Sequence, residues 1–144
     1  MQITDRIITI LNSMATGTDP LLSTVIYASP WDANVRLDRK PTPCAVVYLV
    51  SGFEVDVDSG LRKDTVDFEI LFADRCNFEA KGEKIKETTD RMETVIDEFL
   101  SLLMDEKGID VTGIKARLAY AKFDCNLAGY SLEFKVTDKQ GRCI

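Results

Sequence analysis

No histidine occurs anywhere in the 144 residues. That removes the commonest general base, the usual partner of a serine or cysteine nucleophile, and one component of a mixed zinc site. Cysteine is sparse: Cys44, Cys76, Cys125 and Cys143 are scattered and none forms a CxxC pair. Neither a metal knuckle nor a disulfide framework is indicated, and the four read as buried, reduced thiols in a cytosolic setting. Also missing are a GxSxG turn, a phosphate-cradling glycine loop and a GxGxxG fingerprint. No run of about 18 apolar residues exists to span a membrane. The opening MQITDRIITIL carries Asp5 and Arg6 within its apolar run, unlike a signal peptide. Positive charge is in the minority, with 18 Lys and Arg against 24 Asp and Glu and a net charge of −6. A nucleic-acid grip wants clustered cations, so this balance argues against one without excluding a protein that lets DNA pass without holding it. The expectation is no catalytic residue, no metal, no cofactor and no membrane.

What is present reads as one soluble domain spanning 1–144, with 45% hydrophobic and 29% charged residues. The dominant stretch is Asn77 to about Glu106. Ile85, Met92, Val95, Ile96, Phe99, Leu102 and Leu103 recur at spacings of three and four, which draws an apolar stripe down one side of a long helix. Asn77 suits its N-cap and Gly108 its stop. Ile3, Ile7, Ile8, Ile10, Leu11 and Met14 predict a short amphipathic helix before it, ending near Ala15. Between the two, Thr18–Pro43 reads as an irregular arm with a short strand at Thr24–Ala28 and a turn at Pro30-Trp31-Asp32.

The remainder alternates with the period of β-strands. Cys44–Val50 is apolar on both faces. Phe53, Val55 and Val57 alternate with Glu54, Asp56 and Asp58, Asp58-Ser59-Gly60 turns, and Thr65–Ala73 returns with Val66, Phe68, Ile70 and Phe72 on one face. After the long helix, Ile114, Ala116, Leu118 and Tyr120 share a face in Thr112–Phe123. Asn126–Gly129 then turns the chain, and Tyr130, Leu132, Phe134 and Val136 form a last inward row. The tail 138–144 reads as loose. The fold class is α+β: an antiparallel sheet of four to five strands, in two hairpins, packed by one long helix and a short N-terminal helix.

Candidate sites are of the interaction kind. Trp31 on a turn either packs over an open edge of the core or anchors an interface. With Val46, Tyr48 and Val50 toward the helices, Ala45, Val47 and Leu49 project on the other side, joined by Leu71, Ala73, Ala119 and Ala121. That apolar surplus is either covered by the first helix or met by another subunit. The long helix carries Glu79, Glu83, Glu87, Asp90, Glu93 and Asp97, either a solvated face or an acidic surface that repels nucleic acid or meets a basic partner. Glu87 and Arg91 are spaced as a favourable pair. Asp56-Val57-Asp58-Ser59-Gly60 echoes a calcium loop, but its glycine comes one place early and Asp67 stands where the bidentate glutamate belongs. A solvated hairpin tip reads better, and an enzyme relying on Asp56 and Asp58 would need a pocket that perturbs them.

This order of elements, with the phrase Cys125-Asn126-Leu127-Ala128-Gly129-Tyr130-Ser131-Leu132-Glu133-Phe134, resembles the small tail-terminator, neck and tail-completion proteins of tailed bacteriophages. The matching segments are Ile3–Met14, Cys44–Ala73, Asn77–Glu106 and Thr112–Val136, a likeness of layout without a catalytic motif. The resemblance implies a structural virion protein that is not an enzyme. It would form a homo-oligomeric ring, commonly a hexamer, contacting other tail-tube or neck proteins while DNA passes through. Trp31, Ala45, Val47, Leu49, Asp58 and Leu71 are then candidate contacts, and the acidic helix face a candidate lumen. The competing reading is a stand-alone α+β module that binds a protein or small ligand, a monomer with a closed outer sheet face.

Overall fold

The alternation through Val66–Ile70 and Tyr130–Val136 becomes the centre of the sheet. The computed structural model describes residues 2–37, 40–76, 82–122 and 126–143, with the side chains at 120–122 excepted. Its elements are α1 (Gln2–Met14), β1 (Thr24–Ala28), α2 (Pro30–Leu37), β2 (Cys44–Tyr48), β3 (Phe53–Asp58), β4 (Leu61–Arg75), α3 (Gly82–Met104), β5 (Ile109–Lys122), β6 (Leu127–Asp138) and β7 (Arg142–Cys143). The α+β class holds, with one long helix and a short N-terminal helix on the sheet. The sheet is larger than expected and mixed: seven strands in the order β1-β2-β4-β6-β5, with β3 and β7 both on β4. β1 lies parallel to β2 and all other pairs are antiparallel.

The main core lies between the sheet and the pair α1 and α3. Val66, Phe68, Ile70 and Phe72 of β4 and Leu132, Phe134 and Val136 of β6 meet Met92, Val95, Ile96, Phe99 and Leu103 of α3. The Phe99 ring sits 5.3 Å from Phe72 and 5.9 Å from Phe134, and Phe134 stacks on Phe68 at 5.4 Å. Burying each such side chain is worth roughly 1.5–3 kcal/mol over leaving it wet. Thr88 and Thr89 are buried in α3 because their hydroxyls donate back to the carbonyls of Lys84 and Lys86 at 3.1 and 3.0 Å. Arg6 of α1 donates to Glu106 Oε1 at 2.8 and 3.0 Å and to the Lys107 carbonyl, tying α1 to the end of α3. Gly129 lies in β6 opposite Ala73, beyond the turn expected there. A Cβ at that position would stand 1.9 Å from the Phe72 carbonyl oxygen, so only glycine fits.

Several expectations are corrected. The segment 18–43 is no irregular arm: β1 sits where expected, Leu22 and Ile26 are buried, and Pro30-Trp31-Asp32 opens α2. Ser29 caps that helix, its Oγ accepting from the Asp32 amide at 3.3 Å, and Pro30 takes the first position where no amide is needed. α2 lays Ala33 and Leu37 on the outer sheet face, against Cys44, Val46, Leu71, Ala73, Ala119 and Leu127. The facing of β2 is the reverse of that expected. Ala45 and Val47 point to α1 and α3, and Val46 points to α2. The tail pairs too, β7 meeting Leu61 and Arg62. Cys44 is buried, Cys76 half-buried and Cys143 exposed, so burial does not extend to every thiol. α3 spans Gly82–Met104, about 35 Å of helix. The expected cap Asn77 lies outside the described residues, as do Glu79 and Cys125. Gly108 has φ +80° but stands in the turn into β5, after the helix has already ended.

Candidate interaction surfaces

β4 runs past the body of the protein. Its second half, from Val66 onward, lies between β2 and β6 under α3, whereas its first half, Leu61–Thr65, pairs with β3 in an arm that the start of α1, Gln2 and Ile3, borders across a cavity. Ser59 and Gly60 both have positive φ, +52° and +79°, the conformation of a two-residue type I′ hairpin turn. Such a turn explains the Asp-Ser-Gly sequence without a cation. Among the described residues no three Cys, Asp or Glu side chains converge as a metal site. Asp67 lies on the body of the sheet opposite Lys135, not at the arm's tip.

All of β3 is exposed. Phe53, Val55 and Val57 share the helix side of the sheet, since Phe53 stands opposite the buried Val66. Arg62 lies over the Phe53 ring at 5.5 Å. Glu54, Asp56 and Asp58 form the opposite, acidic row. Among the described residues β3 hydrogen-bonds only to β4, and its other edge carries amides and carbonyls that no described strand pairs.

A second bare edge lies across the sheet. Among the described residues β5 pairs only with β6, and all of Thr112–Leu118 is exposed. The row Ile114, Ala116, Leu118 was expected to face inward. Ala116 and Leu118 do stand on the helix side, opposite Leu132 and Tyr130, where the start of α3 (Gly82, Ile85, Lys86) borders Leu118 across a shallow cavity without covering it, and Leu118 is 57% exposed. On the other face Lys115 and Arg117 form a basic row, with Arg117 3.9 Å from Glu133. The third edge, β1, is treated differently. Arg36 of α2 donates to the Tyr27 carbonyl at 3.3 Å, and the Thr24 hydroxyl bonds the Pro41 carbonyl at 2.7 Å.

The expected contact residues divide between surface and core. Trp31 is 75% exposed on α2, so it does not pack over the core, and Leu49 (52%) and Asp58 are also exposed. Ala45, Val47 and Leu71 cannot meet a partner, being wholly buried within the chain, the first two under α1 and α3 and the third under α2. The structure brings none of the three exposed residues together with another. Glu83, Glu87, Asp90, Glu93 and Asp97 are all exposed on the side of α3 away from the core. Arg91 does not pair with Glu87: it reaches Asp74 at 3.3 Å, fastening α3 to the end of β4. Asp90 is held instead by Lys86 at 2.7 Å, and that hydrogen bond raises the lysine's pKa.

The outer face also holds a shallow cavity of about 360 Å³ lined by Tyr48, Leu49, Asp67, Glu69, Lys115 and Lys135, among others. Its charges are largely committed. Ser131 Oγ donates to Glu69 at 2.8 Å and Lys135 stands 3.8 Å from Asp67. Burial, with help from the Glu69 and Cys44 charges, pushes the Tyr48 hydroxyl up to about 12. Asp56 and Asp58, the carboxylates an enzyme would need, stand in solvent on the arm.

No protein-family model matches this chain, and no curated protein matches it. Of the two bare edges, β3 was foreseen only through Asp58 at its tip and β5 was not foreseen. Their signal lay in the sequence as two alternating segments, each apolar on one side and of a single charge sign on the other.

Proposed function

We propose that the chain is a structural virion protein of a tailed phage or prophage, a tail terminator or head–tail connector component. It acts without enzymatic activity, assembling in the host cytoplasm as a homo-oligomeric ring, a hexamer by the resemblance, around the DNA channel. The observation that carries this is the pair of exposed, half-apolar strand edges on opposite sides of one sheet. A solitary protein normally blunts such edges, and a ring subunit uses them. The exposed acidic side of α3 suits a conduit, because like charge keeps DNA from sticking. Other tail-tube or neck proteins would dock at the ring's rims, where Trp31 is one anchor.

A stand-alone binding module is the second reading. It is favoured by one observation: the apolar part of the outer face, which the sequence left either to the first helix or to another subunit, is closed from within the chain by α2. Light scattering coupled to size exclusion, with negative-stain imaging, separates the two. The ring reading expects a large species with a central hole. A strict single-chain mass of 16.1 kDa at every concentration contradicts it and favours the module.

A further inference from the structure

We infer that the ring interface is a strand-to-strand joint in which β3 of one copy pairs with the exposed edge of β5 of the next. The inference rests on the ring reading and specifies where its subunits meet. Three independent features of the two edges agree.

The first is strand direction. β3 is antiparallel to β4, β4 to β6, and β6 to β5, so β3 and β5 run in opposite directions on opposite sides of the sheet. A second copy brought alongside with its helices on the same side therefore presents its β3 antiparallel to the first copy's β5. One continuous sheet results, without inverting either subunit.

The second is the apolar rows. Phe53, Val55 and Val57 lie on the helix side of β3, and Ala116 and Leu118 lie on the helix side of β5. In the joint these rows fall on the same face and cover each other, removing exposed Val57 and Leu118 from water. The third is charge. The outer row of β3 is Glu54, Asp56 and Asp58, and the outer row of β5 carries Lys115 and Arg117. Lys63, opposite Asp56, leaves the arm's outer row acidic overall. In the same joint the acids face the bases. Shifting the pairing by one residue would set acid against apolar, so the patterns also select the register's parity.

The two edges are different surfaces, so the joint is head-to-tail and either closes into a ring or extends into a filament. β1 is a less open edge than either, because Arg36 of α2 takes up the Tyr27 carbonyl on its free side.

Two charge-reversed proteins test this. The arm variant carries Glu54→Lys and Asp56→Lys, and the edge variant carries Lys115→Glu and Arg117→Glu. Each alone sets like charges across the joint and should fall to 16.1 kDa by light scattering. Mixed in equal amounts, the basic arm of one meets the acidic edge of the other, and the native arm meets the native edge. The mixture should regain the wild-type mass, which two merely misfolded proteins could not do. A wild-type oligomer whose mass neither variant changes would overturn this joint and leave the ring reading standing. So would two folded monomeric variants that stay apart on mixing. A wild type that remains a single chain at every concentration overturns both.

Discussion

The two halves of β4 share one strand and have opposite fates. From Val66 to Ala73 every apolar side chain is buried between helices and sheet, whereas Leu61–Asp64 stands in the arm beside β3 and β7, and Thr65 is the first residue to meet β6. Both halves pair their backbones. The difference is the layer above: α3 lies over the second half, whereas the first is bordered by the start of α1 alone among the described helices. Backbone pairing extends a strand, but packing decides which part of it is stable on its own. Substitutions in the body should therefore read out as stability, and substitutions in the arm as assembly.

The largest effect belongs to the centre of the body. Phe99→Ala empties a site between Phe72 and Phe134 and should cost about 3–5 kcal/mol in denaturant unfolding. A loss under about 1 kcal/mol would mean that α3 is not the principal cover of β4. Gly129→Ala should come next. Its methyl has no room against the Phe72 carbonyl, so β4 and β6 must part, at a cost of about 1–3 kcal/mol or more. The arm should behave otherwise. Val55→Asp, on an exposed position, should leave unfolding within about 0.5 kcal/mol of wild type while abolishing assembly. Equal loss of both would erase the distinction between arm and body.

The smallest effect concerns the outer face, at the margin between the two regions. Tyr48 titrates near 12 when folded and near 10.0 when unfolded. The folded state thus holds the phenolic proton more tightly, a contribution complete below pH 10 and lost as pH rises toward 12. An absorbance titration should show one tyrosinate forming near 12. Tyr48→Phe should remove that step and flatten the alkaline fall in stability.

Which parts were legible follows from how much each stretch constrains itself. In β4 and β6 polar residues separate the apolar ones, so a single register puts the Phe68 and Phe134 rows inside. CAVVY of β2 is apolar on both sides and fits either facing. The true facing depends on α2, whose start signal, Ser29 followed by Pro30, is overshadowed by the prolines around it. Alternation in Phe53–Asp58 and Ile114–Leu118 marks a strand with one apolar side. It does not say whether the layer above that side comes from the same chain or another. The α3 stripe was readable, because seven spaced apolar residues leave one face, yet the partner of Arg91 was not: Asp74 is distant in sequence and near only after folding.

Amide hydrogen exchange at rising protein concentration shows whether the arm and the β5 edge are kept for another copy. Phe53–Asp58 and Thr112–Leu118 should gain protection together as concentration rises, while β1 does not change. Protection independent of concentration in both segments, or gained at β1 instead, would contradict it.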